Sequence, residues 1–366
     1  MNILILTGKF GMGHASVAGA LTVSLEQQVP GAKVSAIDLP TYLSKDGANL
    51  WYRLFGTLVA RMSPLYNAYY KMSALSDSGK TFSLLRVFQQ KADRLFREKQ
   101  PDVVIAVHPI CAYLASQCKK AGQGFTLITC LTDLSTHPEW VNPYTDYYCV
   151  GARDIALSLQ SYGVAPEQIL MTGVPLRQEF YTATRDTSHE RLELLLMGGG
   201  LGLLPPEPSF YQGLSKLPGV HATVITGRNH KLYQRLAGRF EGLTVLGYTS
   251  NVRDYMQKAD LMISKAGGIT LFEAIYTGLP LLIPEPTLEQ ETRNAAFAEA
   301  HGIALLAPRE PNGCLDAIAR LTSNPNQLQR MSEAARCIRE NLRPTALVDL
   351  LSALSEKPKG GTPYAA

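Results

Sequence analysis

Three times along this chain a short apolar run stops at a cluster of glycines, and a helical pattern begins at once. Residues 3–6 lead into Thr7-Gly8-Lys9-Phe10-Gly11-Met12-Gly13-His14. Residues 192–197 lead into Gly198-Gly199-Gly200-Leu201-Gly202, and residues 260–264 into Lys265-Ala266-Gly267-Gly268. Strand, glycine turn and helix is the repeating unit of a parallel sheet with helical crossovers. The first array continues with apolar runs at 34–37, 102–107, 125–130, 147–150 and 169–172. The second continues at 221–226, 243–246, 260–264, 281–283 and 303–306. Runs this short, bounded by turn residues, fit buried parallel strands. The pattern predicts an α/β protein of two Rossmann-like, doubly wound domains facing each other across a cleft.

A length of 366 residues suits two such domains. The first is expected over 1–181. The polar stretch 182–190 (TATRDTSHE) reads as a linker, and 191–342 as the second domain. Residues 343–366 read as a helix expected to return to the first domain, followed by an unstructured tail from Lys357. The six cysteines lack CxxC spacing and several lie in apolar runs, so they read as small core residues in a reducing compartment. Strand-like residues follow Met1 directly, and no stretch of about 18 apolar residues occurs. Both point to a cytoplasmic protein. A net charge of +4 is too mild to argue for nucleic acid.

Residues 41–100 differ in kind. They read as helical, dense in aromatics, with ten basic residues against four acidic. Basic, aromatic, amphipathic segments suit an anionic bilayer surface, which implies peripheral membrane association. The same composition also fits a helical excursion with core aromatics and solvated charges.

Chemistry-bearing residues collect after strand ends. His14 follows the first run, His108 the third, and Asp133, His137 and Trp140 the fourth. In open α/β sheets ligands bind at that edge. Tyr248, at the end of a later run, precedes the third glycine turn. The turn Ser264-Lys265-Ala266-Gly267-Gly268-Ile269-Thr270 can aim backbone N–H groups and a helix N-terminus at an anion. Glu273, one turn on, could then accept from a pair of sugar hydroxyls. A plain βα turn with a solvated acid fits the same local residues. The first loop is neither a P-loop nor a dinucleotide fingerprint, because the required lysine and third glycine are missing.

Seven blocks, in order, carry a resemblance over nearly the whole chain: GMGHASVAGA (11–20), TDLSTHPEWVNPYTDYYCV (132–150), GVPLR (173–177), MGGGLG (197–202), TGRNHKL (226–232), the stretch 247–274, and QETRNA (290–295). Together they resemble the GT-B glycosyltransferases, in the branch of monogalactosyldiacylglycerol synthase and processive diacylglycerol glucosyltransferase. The transferase that forms lipid II is a more distant likeness. It has Gln where this chain has Glu291, which favours the glycolipid branch. Region 41–100 is the least family-like.

The resemblance implies a metal-independent hexosyltransferase that takes a UDP-sugar and a lipid acceptor and needs no cofactor. The sequence has no D-x-D, in agreement. His14 falls at the family's general-base position, and Asp133 is a second base candidate or the group that orients His14. Gly13 belongs to the same loop. Gly199, Gly200, Gly267, Gly268 and Ile269 would hold the diphosphate with Arg228 and Asn229 beside it. Tyr248 would lie at the base, Glu273 at the ribose, and Gln290, Glu291 and Asn294 at the sugar. His108, His137 and Trp140 fall on the acceptor side. Inverting transfer to diacylglycerol or a related lipid is the reaction implied. A polyprenyl-linked or soluble acceptor, a UDP-HexNAc 2-epimerase and a UDP-sugar sensor are the alternatives. Which hexose is moved, and the oligomeric state, are not set by these residues.

Overall fold

The structure is a computed structural model that describes residues 1–8, 12–43, 88–186, 188 and 190–356. The first sheet holds β1 (Asn2–Thr7), β2 (Lys33–Asp38), β3 (Val103–Ala106), β4 (Thr126–Cys130), β5 (Tyr147–Cys149) and β6 (Ile169–Leu170). The second holds β7 (Leu192–Met197), β8 (Val220–Ile225), β9 (Leu243–Leu246), β10 (Leu261–Ser264), β11 (Leu281–Pro284) and β12 (Ala304–Ala307). Every pairing in both sheets is parallel. All four residues of β3 and of β10 are buried, as expected of strands covered by helices on both faces.

Strand order positions the site. The first sheet runs β2-β1-β3-β4-β5-β6 and the second β12-β11-β10-β7-β8-β9. Chain direction across the sheet therefore reverses between β1 and β3, and again between β7 and β10. At such a reversal neighbouring crossovers leave in opposite directions, which opens a crevice at the carboxyl ends of the strands. His14, in the first turn of the helix after β1, and the glycine turns at 198–202 and 265–268, after β7 and β10, each lie at a reversal point.

The described helices are α1 (Met12–Gln28), α2 (Leu39–Leu43), α3 (Gln89–Lys99), α4 (Pro109–Lys120), α5 (Arg153–Ser161), α6 (Gln178–Tyr181), α7 (Pro208–Ser215), α8 (His230–Leu236), α9 (Val252–Lys258), α10 (Gly268–Thr277), α11 (Glu289–Ala300), α12 (Pro311–Thr322), α13 (Pro325–Glu340) and α14 (Ala346–Glu356). Most of the basic aromatic stretch, 44–87, lies outside the described residues, as does the expected tail from Lys357. At its described end the stretch is core. In α3, Ala92, Leu95 and Phe96 are buried, and the Phe96 ring meets Phe125 at 4.8 Å. Lys91 donates to the Leu43 carbonyl at 2.8 Å. Phe96 is thus a packing residue and not a membrane-facing one, because the first sheet offers it an apolar seat.

Helix α10 joins the two halves. One apolar cluster runs from Ile3 and Ile5 through Phe272 and Tyr276 to Met197 and Met262. Phe272 lies against Gly151 so closely that a Cβ there would come within 2.2 Å of its ring, and Gly173 faces Tyr276 and Leu342. The segment after α6 is fastened to the second sheet. Arg185 donates to the Gly278 carbonyl at 2.9 Å and pairs with buried Asp260 at 3.3 Å. The Arg343 N–H donates to the Met171 carbonyl at 2.7 Å. Leu347 and Val348 of α14 then face Ala20, Leu21 and Leu25 of α1.

Gly151→Ala is expected to destabilise the protein by about 1–3 kcal/mol, because Phe272 has no room to withdraw. Urea denaturation followed by tryptophan fluorescence measures this. An unchanged midpoint would mean that Phe272 yields to the added methyl and does not fix the spacing of the two halves.

Candidate active site

His14 is the third residue of α1. Its Nδ1 lies 2.8 Å from the Val107 carbonyl at the end of β3. A carbonyl only accepts, so Nδ1 carries the proton and Nε2 is the basic atom of the neutral ring. Burial lowers the pKa of His14, while the charge of Asp133 and the bond to Val107 raise it. His108 meets His14 edge-on, with ring centres 4.8 Å apart. It is used otherwise: it caps α4, its Nδ1 accepting from the Ile110 N–H at 3.2 Å. Burial, and next the proximity of His14, hold it well below the ordinary histidine value.

Asp133 follows β4 and is buried. Its Oδ1 accepts from Gln290 at 2.7 Å and from Asn294 at 3.3 Å, both on α11 of the other half. Burial raises its pKa, and the Gln290 bond, the His14 charge and the Asn294 bond pull it back. The halves touch here through backbone. A Cβ on Gly268 would lie 1.9 Å from the Thr132 carbonyl oxygen, so only glycine lets the N-terminus of α10 approach the strand end that carries Asp133. Ile269 packs toward Gly13. On the other side the Lys265 side chain passes between Gly199 and Gly267 and pairs with Glu291. The Gly200 carbonyl accepts the Arg228 N–H at 3.0 Å.

Glu273 is buried in α10. Arg177, at the end of the GVPLR block, approaches it at 3.9 Å and donates to the Ser250 carbonyl at 2.7 Å. Burial pushes the Glu273 carboxyl up to about 7, against the pull of Arg177. Sequence pattern alone does not single out Arg177. The signal it offers is a cation at a strand's carboxyl end, inside one of the seven blocks.

Other expected residues are committed elsewhere. Ser264 is buried and donates to the Met197 carbonyl at 2.7 Å, tying β10 to β7. The Asn229 side chain caps α8, accepting from the Leu232 N–H, and donates to the Gly202 carbonyl. His137 caps the short turn Pro138–Trp140 and is 1% exposed, while Trp140 is 2% exposed and belongs to the core. These two build the first domain's interior. Arg228 lies 5.8 Å over the Tyr248 ring, and both are exposed. Thr270 sits in the first turn of α10. Among the described residues no three His, Cys, Asp or Glu side chains are grouped as ion ligands would be, and no helix is long and apolar enough to cross a membrane.

Residues 14–176 match the model of the monogalactosyldiacylglycerol (MGDG) synthase family, and 212–345 that of the glycosyltransferase family 28 C-terminal domain. A processive diacylglycerol beta-glucosyltransferase of Bacillus licheniformis is 27% identical over 376 residues, spanning 96% of this chain and 94% of the relative. Its counterpart in Bacillus subtilis is 28% identical, spanning 90% and 89%. In fold, the crystal structure of Acinetobacter baumannii MurG superposes with a TM-score of 0.64 at 17% identity, spanning 96% of this chain and 99% of that one. Two parallel sheets meeting over paired glycine turns at their reversal points give this chain the GT-B fold, and its glycosyltransferase relatives and domain matches mark it as a glycosyltransferase, an enzyme. Its first half is similar to the monogalactosyldiacylglycerol synthase family, and nearly its whole length to the processive diacylglycerol glucosyltransferases.

Glu273→Gln tests the electrostatics of α10. A carboxyl whose folded pKa is about 7 against an ordinary 4.5 binds its proton more tightly when folded. Its contribution is present below the ordinary value and is lost as pH rises through about 7. The variant is therefore expected to melt close to wild type at pH 4.5 and above it at pH 8. The gain is at most about 3 kcal/mol. Melting curves across that range check it, and a difference independent of pH would refute it.

Proposed function

We propose that the enzyme moves a hexose, with inversion, from a UDP-sugar to diacylglycerol or a related lipid, working peripherally at an anionic membrane surface and without a metal or other cofactor. The observation that carries this reading is the fixed tautomer of His14. Its Nδ1 is tied to Val107, so Nε2 can take the proton of an acceptor hydroxyl. Burial favours the neutral ring, and the Asp133 carboxylate stabilises the imidazolium formed in the step. The hydroxyl oxygen then attacks the anomeric carbon from the face opposite the nucleotide, and the C–O bond to the diphosphate breaks.

The leaving diphosphate needs donors, and the N-terminus of α10 with the turns at Gly199-Gly200 and Gly267-Gly268-Ile269 supplies backbone N–H groups for it. Lys265 and Arg228 add positive charge. Glu273 takes the ribose hydroxyls, Tyr248 lies at the uracil, and Gln290 and Glu291 face the hexose. Diacylglycerol as acceptor is supported by the names of the relatives and by the match of residues 14–176.

Turnover of UDP-glucose and UDP-galactose with diacylglycerol vesicles, analysed by mass spectrometry, tests the reading. His14→Ala is expected to lower kcat by about 10²–10⁴. No lipid product with any UDP-hexose would sink the proposal, and an undiminished rate in the variant would move the base elsewhere.

A further inference from the structure

Asn294 makes bonds in two directions from one amide. Its Nδ2 donates to Asp133 Oδ1 at 3.3 Å and to the Ala266 carbonyl at 3.1 Å, while its Oδ1 accepts from the Leu134 N–H at 2.9 Å. The residue is 1% exposed. A primary amide has two N–H groups, and both are in use. The family resemblance implies a place for Asn294 at the sugar. In this structure it has no donor left for a ligand. Gln290, four residues earlier on the same face of α11, donates to the same Asp133 oxygen, so one carboxylate of the first domain is held by two amides of the second. Ala266 belongs to the glycine turn, and Leu134 adjoins Asp133. Asn294 is thus the side chain through which the turn at 265–268 and the strand end at 132–134 share hydrogen bonds.

We propose that Asn294 is a positioning residue that couples the ligand-binding glycine turn of the second domain to the Asp133–His14 pair of the first. The pair is then correctly set only while that turn is in place. The inference rests on the glycosyl-transfer reading for its consequence, but the coupling itself is a property of the fold. Proton transfer from the acceptor is synchronised with donor binding, because the residue that fixes the turn also fixes the carboxylate facing His14. The charged and titratable groups about Asp133 are His14 on α1, with His108 against it, and Glu291 on α11, which Lys265 pairs.

The test uses the full chain, with UDP as the probe. Hydrogen exchange at the Leu134 amide is followed with and without UDP, and transfer kinetics are measured alongside. In wild type, UDP is expected to slow Leu134 exchange. In Asn294→Ala that dependence is lost, and kcat falls about 10²-fold, the cost of a small misplacement of catalytic groups. The near-isosteric Asn294→Asp guards against misfolding. It keeps an acceptor for Leu134 but sets a second carboxylate against Asp133, so the acid limb of the pH–rate profile is expected to move to higher pH. Combined with Asp133→Asn, Asn294→Ala is expected to cost far less than it does alone. UDP-independent exchange at Leu134, or additive losses in that cycle with an unmoved pH profile, would overturn the coupling. Absence of turnover in wild type would count against the proposed reaction alone, since the exchange measurement decides the coupling without it.

Discussion

The contact on which the rest of the molecule depends is the seating of α10 against bare backbone of the opposite sheet. Gly268 meets the Thr132 carbonyl, and Phe272 fills the space a side chain on Gly151 would take. Hydrophobic packing of this kind is not directional, so the close approach of main chain to main chain is what sets the geometry. Once α10 is seated, its N-terminus is placed beside Asp133, and α11 is carried close enough for its amides to reach the same carboxylate. The apolar cluster and the polar site are two sides of one interface.

That interface encloses charge, which is costly unless the charge is answered. Asp133 has Gln290, Asn294 and the nearby His14 ring. Glu273 has Arg177 at a longer distance, and its raised pKa reflects the imbalance. A carboxyl poised near neutrality between the two halves has unspent hydrogen-bonding capacity. Donors on a ligand would complete what Arg177 leaves incomplete. The same burial that raises Glu273 lowers His14. Burial disfavours the imidazolium, and only Asp133 and the Val107 carbonyl favour it.

The sheets are legible in the sequence because a parallel strand buried on both faces has to be a short apolar run, and a reversal point has to end in a turn that tolerates close approach. Runs at 3–6, 102–107 and 260–264 appear as β1, β3 and β10 for that reason. The candidates His14, Asp133, Lys265 and Gln290 stand out in the sequence because they lie just past strand ends or at a helix start. Sequence spacing locates an element's end but not which neighbour a side chain turns to. Asn229 and His137 are at the right ends, but each caps its own turn, and Asn229 also donates to Gly202. Trp140 lies one turn from His137 and goes into the core. Asn294 reaches across to another domain, and Arg177 crosses the other way to Ser250, partners more than 70 residues distant that no local pattern encodes. For the aromatic stretch that ends near Phe96 the sequence leaves a membrane face and a core seat both open, since aromatic density does not say what lies opposite.

The glycines under α10 carry a consequence for how such an enzyme can change over time. At Gly151 and Gly268 the requirement is the absence of an atom, and every other amino acid supplies that atom. These positions have no mild neighbour in amino-acid space. A leucine in the core can drift to methionine and back, but any substitution at either glycine forces the opposite half to give way. Variation that tunes acceptor choice has to accumulate elsewhere, in segments that do not set the distance between the sheets.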